Sequence, residues 1–375
     1  MKILFICTYY HRAMIFHDLA KRIKDKGHEV ETFNAVVKKA KIYEKYKKIM
    51  EDSDVIHKEC FYYWDRYFYF IKQKKICNAL IKSCEVKKYD LIHSHNLFNG
   101  GYVAYNLKRN FGIPYIVSIR STDVNSFLRL PLFKRIANKI VEEASGIHFL
   151  SFPYKENFLQ KFIIKERLEI VERKSIVITN GLEDFWLENR NNKAKEIKNP
   201  KKVRLLLVGK INKNKNIFSV IEAVRLLEQK GYKIELTVVG QILDEKVLNK
   251  IRKEKFITFL PYKKKEELLK IYRENDIFVM PSVHETFGRV YAEAMTQGLP
   301  VIYSKGQGFD GIFEDGWIGY SVPSNDIVYI SECIIKIINN FSTISKKCLE
   351  NCNKFNWEKI SEDYARFYKE SINRK

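Results

Sequence analysis

The feature that most constrains the fold is an alternation of short apolar runs with helical stretches, which occurs twice along the chain. In the first half the apolar runs are KILFIC, HEVETFN, DLIHSHN, YIVSIR, GIHFLS and SIVITNG. The helical stretches between them include FHDLAKRIKDKG and VAYNLKRNFG, which end on Gly27 and Gly112 as helices commonly do. This alternation predicts a parallel β-sheet with helices on both faces.

The alternation restarts beyond residues 188–202, ENRNNKAKEIKNPKK, a polar segment that we predict to be a linker. The later apolar runs are VRLLLVG, IELTVVG, FITFLP, DIFVMPS and PVIYS. We therefore predict an α/β protein with two doubly wound, Rossmann-like domains, residues 1–187 and 203–355, facing each other across a cleft. Open parallel sheets bind ligands at the carboxyl ends of their strands, so we expect the active site between the domains.

The charge of the chain indicates an anionic partner. Lys and Arg number 67 and Asp and Glu 45, which gives a formal net charge of +22. A nucleic acid, an anionic membrane surface or a phosphorylated small molecule each fits this charge. A compositional bias of the whole chain is the alternative explanation. No zinc-finger spacing, RNP-like aromatic motif or basic heptad region occurs, so no nucleic-acid partner is expected.

Cysteine usage and hydropathy indicate a cytoplasmic setting. The seven cysteines are odd in number and include no CxxC pair, which fits a reducing compartment. The N-terminal MKILFICTYY is too short for a signal peptide, and no apolar run approaches the roughly 20 residues of a membrane span. We expect a soluble or peripheral protein.

Residues 59–75, ECFYYWDRYFYFIKQKK, interrupt the alternation with a dense run of aromatic side chains that closes on lysines. Aromatic rings beside cations are typical of a membrane interface or an apolar acceptor site. A buried helix of the first domain is the alternative.

The stretch PSVHETFGRVYAEAMTQGLPVI, residues 281–302, carries the most specific chemical signal. Glu285 is expected at the carboxyl end of a strand, Gly288 at the start of a helix that runs to about Gln297, and Gly298 at its end. A glycine and free N–H groups at a helix N-terminus favour a phosphate. Glu293, one to two turns inside the helix, can accept paired hydrogen bonds from vicinal sugar hydroxyls. Together these features predict a nucleotide site.

This stretch resembles the E-x7-E region of glycosyltransferase family 4 (GT4), retaining enzymes of the two-domain GT-B fold that use nucleotide-diphosphate sugars. The resemblance extends over most of the chain. It implies that Glu293 holds the nucleotide ribose and that Glu285 lies beside the donor sugar. It also implies that the backbone after Glu285 meets the sugar and the phosphate, at Thr286, Phe287 and Gly288.

The family's basic pattern GR-x4-K-G is similar to GKINKNKN, which places Lys210 and Lys215 on the donor diphosphate. Lysine replaces the usual arginine at 210, so a point charge replaces a planar fork. Two cations and a helix N-terminus can stabilise a departing nucleoside diphosphate, so neither a metal nor a cofactor is expected. The alternative is that both are solvated loop lysines.

Weaker similarities extend the site. RSTD matches the family's HG-T-D, with Arg120 where a histidine often contacts the donor sugar and Asp123 at the aspartate. SKGQGFDG brings Gly308 near the donor, and ITNGLEDF places Asn180 at the domain junction. His95 aligns with a cleft-facing histidine, although a structural histidine fits equally. We assign Arg120 and Gly308 to the donor and His95, Asp123 and Asn180 to the acceptor side.

Two further inferences concern histidine and the C-terminus. His93 and His95 share one face of a strand, but without a third ligand of suitable spacing we expect no metal site. FNWEKISEDYARFY resembles the family's terminal helix, so residues 356–375 are expected to return to the first domain.

The predicted function is a cytoplasmic, metal-independent, retaining glycosyltransferase, either soluble or peripheral on the inner face of the plasma membrane. It would move a hexose from a UDP- or GDP-type sugar to a hydroxyl of a lipid-linked glycan or surface polysaccharide precursor. Three departures from the family, namely Arg120, Gly311 and a first loop without glycine, motivate an alternative. In that alternative the chain is a catalytically degenerate GT-B protein that binds a glycan or serves as a partner subunit.

Overall fold

The computed structural model describes residues 1–39 and 52–374. The chain divides into two compact units. The first comprises Met1–Leu150, Lys155–Thr179 and Trp357–Lys375, and the second comprises Ser151–Tyr154 and Asn180–Asn356.

The first unit is built on a parallel sheet with the strand order β3-β2-β1-β4-β5-β6-β7. The strands are β1 (Lys2–Ile6), β2 (Glu29–Val37), β3 (Val55–Phe61), β4 (Leu91–Ser94), β5 (Tyr115–Ile119), β6 (Gly146–Phe149) and β7 (Ser175–Val177). The helices after β1 are α1 (Met14–Asp25), α2 (Tyr69–Ser83), α3 (Tyr102–Phe111), α4 (Ser121–Asn125), α5 (Pro131–Glu143), α6 (Phe152–Phe162) and α7 (Leu168–Arg173). The strand order reverses between β1 and β4, which is the switch point where such sheets bind ligands.

The second unit repeats this plan with the strand order β10-β9-β8-β11-β12-β13. Its strands are β8 (Lys202–Val208), β9 (Lys233–Val239), β10 (Ile257–Leu260), β11 (Ile277–Val279), β12 (Val301–Ser304) and β13 (Gly319–Val322). Its helices are α8 (Asp184–Glu188), α9 (Ile217–Gln229), α10 (Glu245–Ile251), α11 (Lys265–Glu274), α12 (Arg289–Thr296), α13 (Ile327–Asn339) and α14 (Phe341–Asn351). Here the strand order reverses between β8 and β11. The prediction of two Rossmann-like α/β domains with parallel sheets is confirmed.

The sequence analysis did not predict two of the strands, β3 and β13. β3 is the edge strand of its sheet and carries His57, Lys58 and Glu59 within a partly exposed pattern, so it lacks an apolar run. β13 has the sequence GYSV and is only four residues long. Both lie at sheet edges, where fewer side chains need to be apolar.

Residues 59–75 do not form one buried helix, so that interpretation is wrong. The segment continues from the end of β3 through a 3-10 turn, Tyr63–Tyr67, into the first turns of α2. Asp65 is buried, accepts a hydrogen bond from the backbone N–H of Tyr62 and forms an ion pair with Lys75 at 2.8 Å. The aromatic side chains around it stay exposed, among them Tyr67 at 76%.

The polar segment 188–202 belongs to the second unit and does not join the two units. The side chain of Asn191 donates to the carbonyl of Gln297 at 2.9 Å, and the backbone N–H of Lys195 donates to Ser345 Oγ at 2.8 Å. The chain leaves the first unit at Thr179 instead. Its polar composition, which suggested a linker, reflects a surface segment held by hydrogen bonds.

The last helix, α15 (Trp357–Asn373), packs on the first unit. Its buried residues Trp357, Tyr364 and Phe367 share one apolar cluster with β1 and α1. Gly146 permits the close approach, because a Cβ there would lie 2.6 Å from the ring of Phe367. A glycine at the start of β6 is therefore needed for the helix to dock.

A buried polar network ties α15 to three strands of the first sheet. His93 Nδ1 pairs with the hydroxyl of Tyr368 at 2.8 Å, and His93 Nε2 pairs with Ser118 Oγ at 2.9 Å. Ser118 Oγ also contacts His148 Nδ1 at 2.7 Å, and the hydroxyl of Tyr364 lies 3.1 Å from His148 Nε2. Burial lowers the pKa of both imidazoles, so they remain neutral hydrogen-bonding groups at physiological pH.

Among the described residues, no single helix is both long and apolar enough to cross a membrane, although the bent pair Ile327–Asn339 and Phe341–Phe355, at 89°, meets the length and composition criteria jointly.

We predict that Tyr368→Phe destabilises the first unit, because it leaves a buried nitrogen of His93 without its partner. A buried polar group left unpaired costs about 1–3 kcal/mol. Amide hydrogen exchange of β4 and β5, read by mass spectrometry, measures the effect within this unit alone. Tyr67→Phe is the control, because its hydroxyl is exposed, and it should change the free energy of opening by less than about 0.5 kcal/mol. Equal effects of the two variants would contradict the role of the network.

Candidate active site

The candidate site lies at the carboxyl ends of β8 and β11, on either side of the switch point of the second sheet. The loop that follows β11 leads into α12, whose N-cap is Gly288. Gly288 has φ 81°, and a Cβ there would lie 2.4 Å from the ring of Tyr291. Glycine is therefore required at this position, because the backbone is left-handed and because a side chain would clash with Tyr291. At the other end Gly298, with φ 73°, donates to the carbonyl of Met295 and terminates the helix. The predicted start and end of this helix are confirmed.

An ion pair joins the loop that follows β8 to the loop that follows β11. Lys215 Nζ lies 2.7 Å from Glu285 Oε2, and each side chain is 16% exposed. The second carboxylate oxygen of Glu285 accepts from the backbone N–H of Thr286 at 3.2 Å. The aliphatic part of Lys215 lies against Gly209, where a Cβ would come within 3.1 Å of its Cε. The sequence placed both residues at the site but did not predict that they pair.

Two asparagines that the sequence analysis missed hold the loops together. Asn214 Nδ2 donates to the carbonyl of His284 at 2.9 Å, and the N–H of His284 donates back to Asn214 Oδ1 at 3.0 Å. Asn216 has φ 53° and donates to the carbonyl of Pro281 at 3.1 Å. Asparagine tolerates the left-handed conformation and bonds to nearby backbone, so the repeated Asn in GKINKNKN was the available signal.

A third loop, after β12, approaches Glu285 through its backbone. The N–H of Gly308 donates to the carbonyl of Glu285 at 2.7 Å, and the N–H of Glu285 donates to Gln307 Oε1 at 3.0 Å. A Cβ on Gly308 would lie 2.4 Å from the backbone N of Phe287. The structure thus brings Gly308 against Thr286 and Phe287. The side chain of Phe287 is buried against Phe309 and Phe355, so this residue can offer a ligand only its backbone.

Glu293 sits on α12 in a different electrostatic setting. The hydroxyl of the buried Tyr272 donates to its Oε2 at 3.2 Å. Burial raises the pKa of Glu293 to about 7, and the charge of Arg289 and the hydrogen bond from Tyr272 oppose that rise. The side chain is nevertheless partly exposed. It is therefore a hydrogen-bond acceptor whose charge changes near neutral pH.

Lys210 follows β8 on the same edge of the sheet. Its side chain is exposed and forms no ion pair with any residue in the described ranges. The edge therefore carries the exposed Lys210, Lys215 held by a carboxylate, and the N-terminus of α12, where the first N–H groups lack helical acceptors. This arrangement suits a polyanion such as a diphosphate.

The first unit brings together three of the residues predicted from sequence. Arg120 Nε donates to the carbonyl of His95 at 3.2 Å, and the N–H of Arg120 donates to Asp123 at 2.9 Å. Asp123 also accepts from the N–H groups of Leu97 and Phe98, at 3.1 and 3.3 Å. Burial raises the pKa of Asp123 to about 6, partly offset by these backbone donors. Asp123 therefore anchors the loops around Arg120.

The ring of His95 is buried against Phe5 and Phe16, and neither ring nitrogen has a hydrogen-bond partner in the described part of the chain. Burial and the nearby charge of Arg120 lower its pKa well below the usual value, which keeps the imidazole neutral. Asn180 begins the longer of the two segments of the second unit and is half-buried. The described residues contain no group of three or more His, Cys, Asp or Glu side chains suited to a metal ion.

Two family models match most of the chain. A model for the glycosyl transferases group 1 matches residues 188–355, and a model for Glycosyltransferase Family 4 matches residues 13–173. The first match contains every residue of the loops around Glu285, and the second contains His95, Arg120 and Asp123.

Three curated relatives are similar to this chain. An uncharacterized glycosyltransferase of Methanocaldococcus jannaschii is 26% identical, over 99% of this chain and 98% of the relative. The capsular polysaccharide biosynthesis glycosyltransferase CapM of Staphylococcus aureus is 30% identical, over 52% and 54%. The alpha-monoglucosyldiacylglycerol synthase of Acholeplasma laidlawii is 24% identical, over 64% of each chain.

Solved structures share the fold over almost the whole length. The lipopolysaccharide outer core galactosyltransferase WaaB superposes with a TM-score of 0.76 at 15% identity, over 98% of this chain and 99% of WaaB. HepE of Anabaena, in complex with UDP, superposes with a TM-score of 0.71 at 16% identity, over 98% and 100%. The chain therefore belongs to the family 4 type of glycosyltransferases and has the GT-B fold of two Rossmann-like α/β domains.

Proposed function

We propose that this glycosyltransferase moves a hexose from a UDP- or GDP-type sugar to a hydroxyl of a lipid-linked glycan or surface polysaccharide precursor, with retention of anomeric configuration. The observation that carries the proposal is the ion pair between Lys215 and Glu285 beside the glycine-opened N-terminus of α12. It supplies a positive and a negative group within one site, for a leaving diphosphate and for a sugar that gains positive charge.

The donor's nucleotide is held by charge and by a carboxylate. Lys210 and Lys215 neutralise the diphosphate together with the first N–H groups of α12, so no metal or cofactor is needed in this proposal. Gly288 lets the phosphate reach the backbone, because it has no side chain in the way. Glu293 accepts hydrogen bonds from the vicinal hydroxyls of the ribose. HepE binds UDP, which agrees with this donor class.

The transfer follows front-face attack. The bond between the anomeric carbon and the diphosphate oxygen breaks, and the acceptor oxygen bonds to the same face of that carbon. The acceptor proton passes to the departing diphosphate oxygen, whose charge Lys215 stabilises. Glu285 positions the donor sugar and stabilises its positive character, and Thr286, Phe287 and Gly308 support it through their backbone contacts.

The acceptor is proposed to bind the first unit, with His95, Asp123 and the junction residue Asn180 on its side of the reaction, whereas Arg120 is assigned to the donor. CapM is named for capsular polysaccharide biosynthesis and the Acholeplasma relative for the synthesis of a glucosylated diacylglycerol, and both names agree with an acceptor of the proposed kind. A lipid-linked acceptor places the enzyme at the cytoplasmic surface of the plasma membrane.

The degenerate alternative is not favoured, because the charged residues assigned to the donor are all present and Lys215 and Glu285 form an ion pair. Gly311, one of the departures that motivated it, has φ 76°, a conformation that favours glycine. The missing acidic residue at this position is explained by the backbone of the loop.

We predict that one nucleoside diphosphate among UDP, GDP, ADP and dTDP stabilises the second unit. At 100 times its dissociation constant, a ligand of the folded state adds about 2.7 kcal/mol to the free energy of unfolding. Thermal unfolding with each nucleotide measures this gain. Glu293→Ala should abolish it, whereas Glu228→Ala, at an exposed helical position of the same unit, should not. If none of the four nucleotides stabilised the protein, the proposed donor class would be wrong.

We predict that nucleotide affinity falls as the pH drops below about 7. The ribose hydroxyls bind the ionised form of Glu293, so binding lowers its pKa from the free value of about 7. Affinity is then full above pH 7 and decreases by up to about tenfold per pH unit below it. Calorimetric titration between pH 5.5 and 8.5 with the wild type and Glu293→Gln separates this effect from titration of the phosphate itself, which both proteins share. Identical pH profiles would exclude Glu293 from the ribose.

We predict that Lys215 contributes to both nucleotide binding and sugar transfer, whereas Glu285 contributes to sugar transfer alone. Lys215→Met should weaken nucleotide binding and slow sugar transfer. Lys213→Met is its control, because Lys213 lies in the same turn but is exposed. Glu285→Gln should leave nucleotide binding intact, because Lys215 remains available, but lower kcat by about 100-fold or more, as losing an electrostatic stabiliser does.

NMR of the first-formed product reports both the rate and the anomeric configuration. Loss of nucleotide binding in Glu285→Gln would show that the carboxylate serves only to position Lys215. An inverted product would contradict front-face attack.

A further inference from the structure

Two adjoining cavities in the first unit remain outside the donor site. The first, here called the polar cavity, has a volume of about 390 Å³ and lies at the carboxyl ends of β1, β2 and β3, lined in part by Thr8, Val37 and Phe61. Asn99, which follows β4, also lines it, so the cavity lies at the switch point of this sheet. The second, here called the apolar groove, has a volume of about 740 Å³ and lies between the 66–71 segment and residues 126–133. Both volumes are in the usual range of ligand sites, about 300–1,000 Å³.

The polar cavity is built for an anion. Lys72 and Arg66 line it, and no Asp or Glu is among its described lining residues. Lys72 Nζ donates to Asn99 Oδ1 at 2.9 Å and forms no ion pair with any carboxylate in the described ranges. Burial lowers the pKa of Lys72, so an anionic group beside it would restore the stability of its charged form. Arg66 lies over the ring of Tyr63, with its guanidinium carbon 3.6 Å from the ring centroid.

The apolar groove is exposed hydrophobic surface that no element within residues 1–39 and 52–374 covers. Phe68, Ile71 and Leu132 are 58%, 53% and 51% exposed, although each is a side chain that gains free energy from burial. Contiguous apolar surface of this kind is typical of a binding site. Phe127 and Phe133 form its base and pack edge-on at 5.1 Å.

Three side chains, Arg66, Tyr69 and Phe127, line both cavities. The hydroxyl of Tyr69 donates to the carbonyl of Phe98 at 2.7 Å, which fixes this shared wall. A cation-lined pocket and an apolar groove therefore meet at Arg66. The matching ligand has an anionic head and an apolar tail.

We propose that the polar cavity and the apolar groove together bind one lipid phosphate molecule, with its phosphate at Lys72 and Arg66 and its hydrocarbon chain along Phe68, Ile71 and Leu132. Resting on the proposed function, this inference names the carrier of the acceptor sugar as a single-chain lipid phosphate or diphosphate. A bilayer surface fits less well, because Lys72 is half-buried within a cavity, whereas lipid headgroups in a membrane meet exposed cations.

The test uses farnesyl phosphate, below its micelle concentration, as the probe on the full chain. Calorimetry should show that it binds at least about tenfold more tightly than farnesol, which lacks the charge, and than inorganic phosphate, which lacks the chain; each tenfold step corresponds to about 1.4 kcal/mol.

Two variants separate the two halves of the site. Lys72→Met should lower the affinity for farnesyl phosphate about tenfold or more, because a charge-assisted contact is lost. The affinity for farnesol should stay unchanged. Leu132→Ser should lower the affinity for both farnesyl compounds and leave the affinity for inorganic phosphate unchanged. Lys161→Met and Ile170→Ser, at exposed positions elsewhere on the first unit, are the matched controls and should bind as the wild type does.

Failure of the lipid phosphate proposal can be distinguished from failure of the proposed nucleotide-sugar site. Nucleotide-induced stabilisation is measured on each variant and should not change, which also shows that the variants are folded. Equal affinity for farnesyl phosphate and farnesol, or no effect of Lys72→Met, would overturn the anion site. Binding to vesicles of anionic phospholipid without binding to monomeric farnesyl phosphate would overturn the proposal in favour of a membrane contact.

Discussion

The ion pair between Lys215 and Glu285 is the interaction around which the candidate site of the second unit is organised. It joins two loops that follow neighbouring strands, and a parallel sheet is what brings those loops to one edge. Both side chains are mostly buried, so removing either partner would leave an uncompensated charge. A ligand diphosphate therefore does not meet an empty pocket. It competes for a lysine whose position is already fixed, which reduces the ordering cost of binding.

The two glutamates of the site have distinct electrostatic environments although they are close in sequence. Glu285 has a cation against one oxygen and a backbone N–H against the other, which suits a carboxylate that faces developing positive charge. Glu293 accepts a hydrogen bond from the hydroxyl of Tyr272, and burial raises its pKa to about 7 despite the nearby charge of Arg289. Such a group gains most from ligand hydroxyls, because they provide the donors that the protein does not. In the proposed function, binding and chemistry therefore rest on different carboxylates.

The sequence predicted much of this fold because its signals are local. Apolar runs identify the buried strands, and Gly288 and Gly298 mark the ends of α12 by backbone conformation alone. The contacts that complete the site are not local. Asn214 reaches His284 across 70 residues and Gln307 reaches Glu285 across 22, and no periodicity encodes such pairs. The edge strand β3 was missed for a related reason, since an edge needs no continuous apolar run. The aromatic segment that follows β3 was ambiguous because aromatic side chains are common in cores and at ligand surfaces alike.

Net charge is the weakest of the signals, and the structure shows why. Of the 67 basic residues, most are exposed and several form surface ion pairs that contribute little. What distinguishes Lys215 and Lys72 is their setting. Lys215 is desolvated against a carboxylate, and Lys72 is half-buried with only a neutral amide as its hydrogen-bond partner. A partly desolvated cation that forms no ion pair within the described ranges gains from an anion beside it, so its cavity favours a phosphate more strongly than the exposed lysines do. The same reasoning explains why +22 alone could not separate nucleic acid, membrane and nucleotide, and why both proposals rest on the placement of a few cations beside loops and apolar surface.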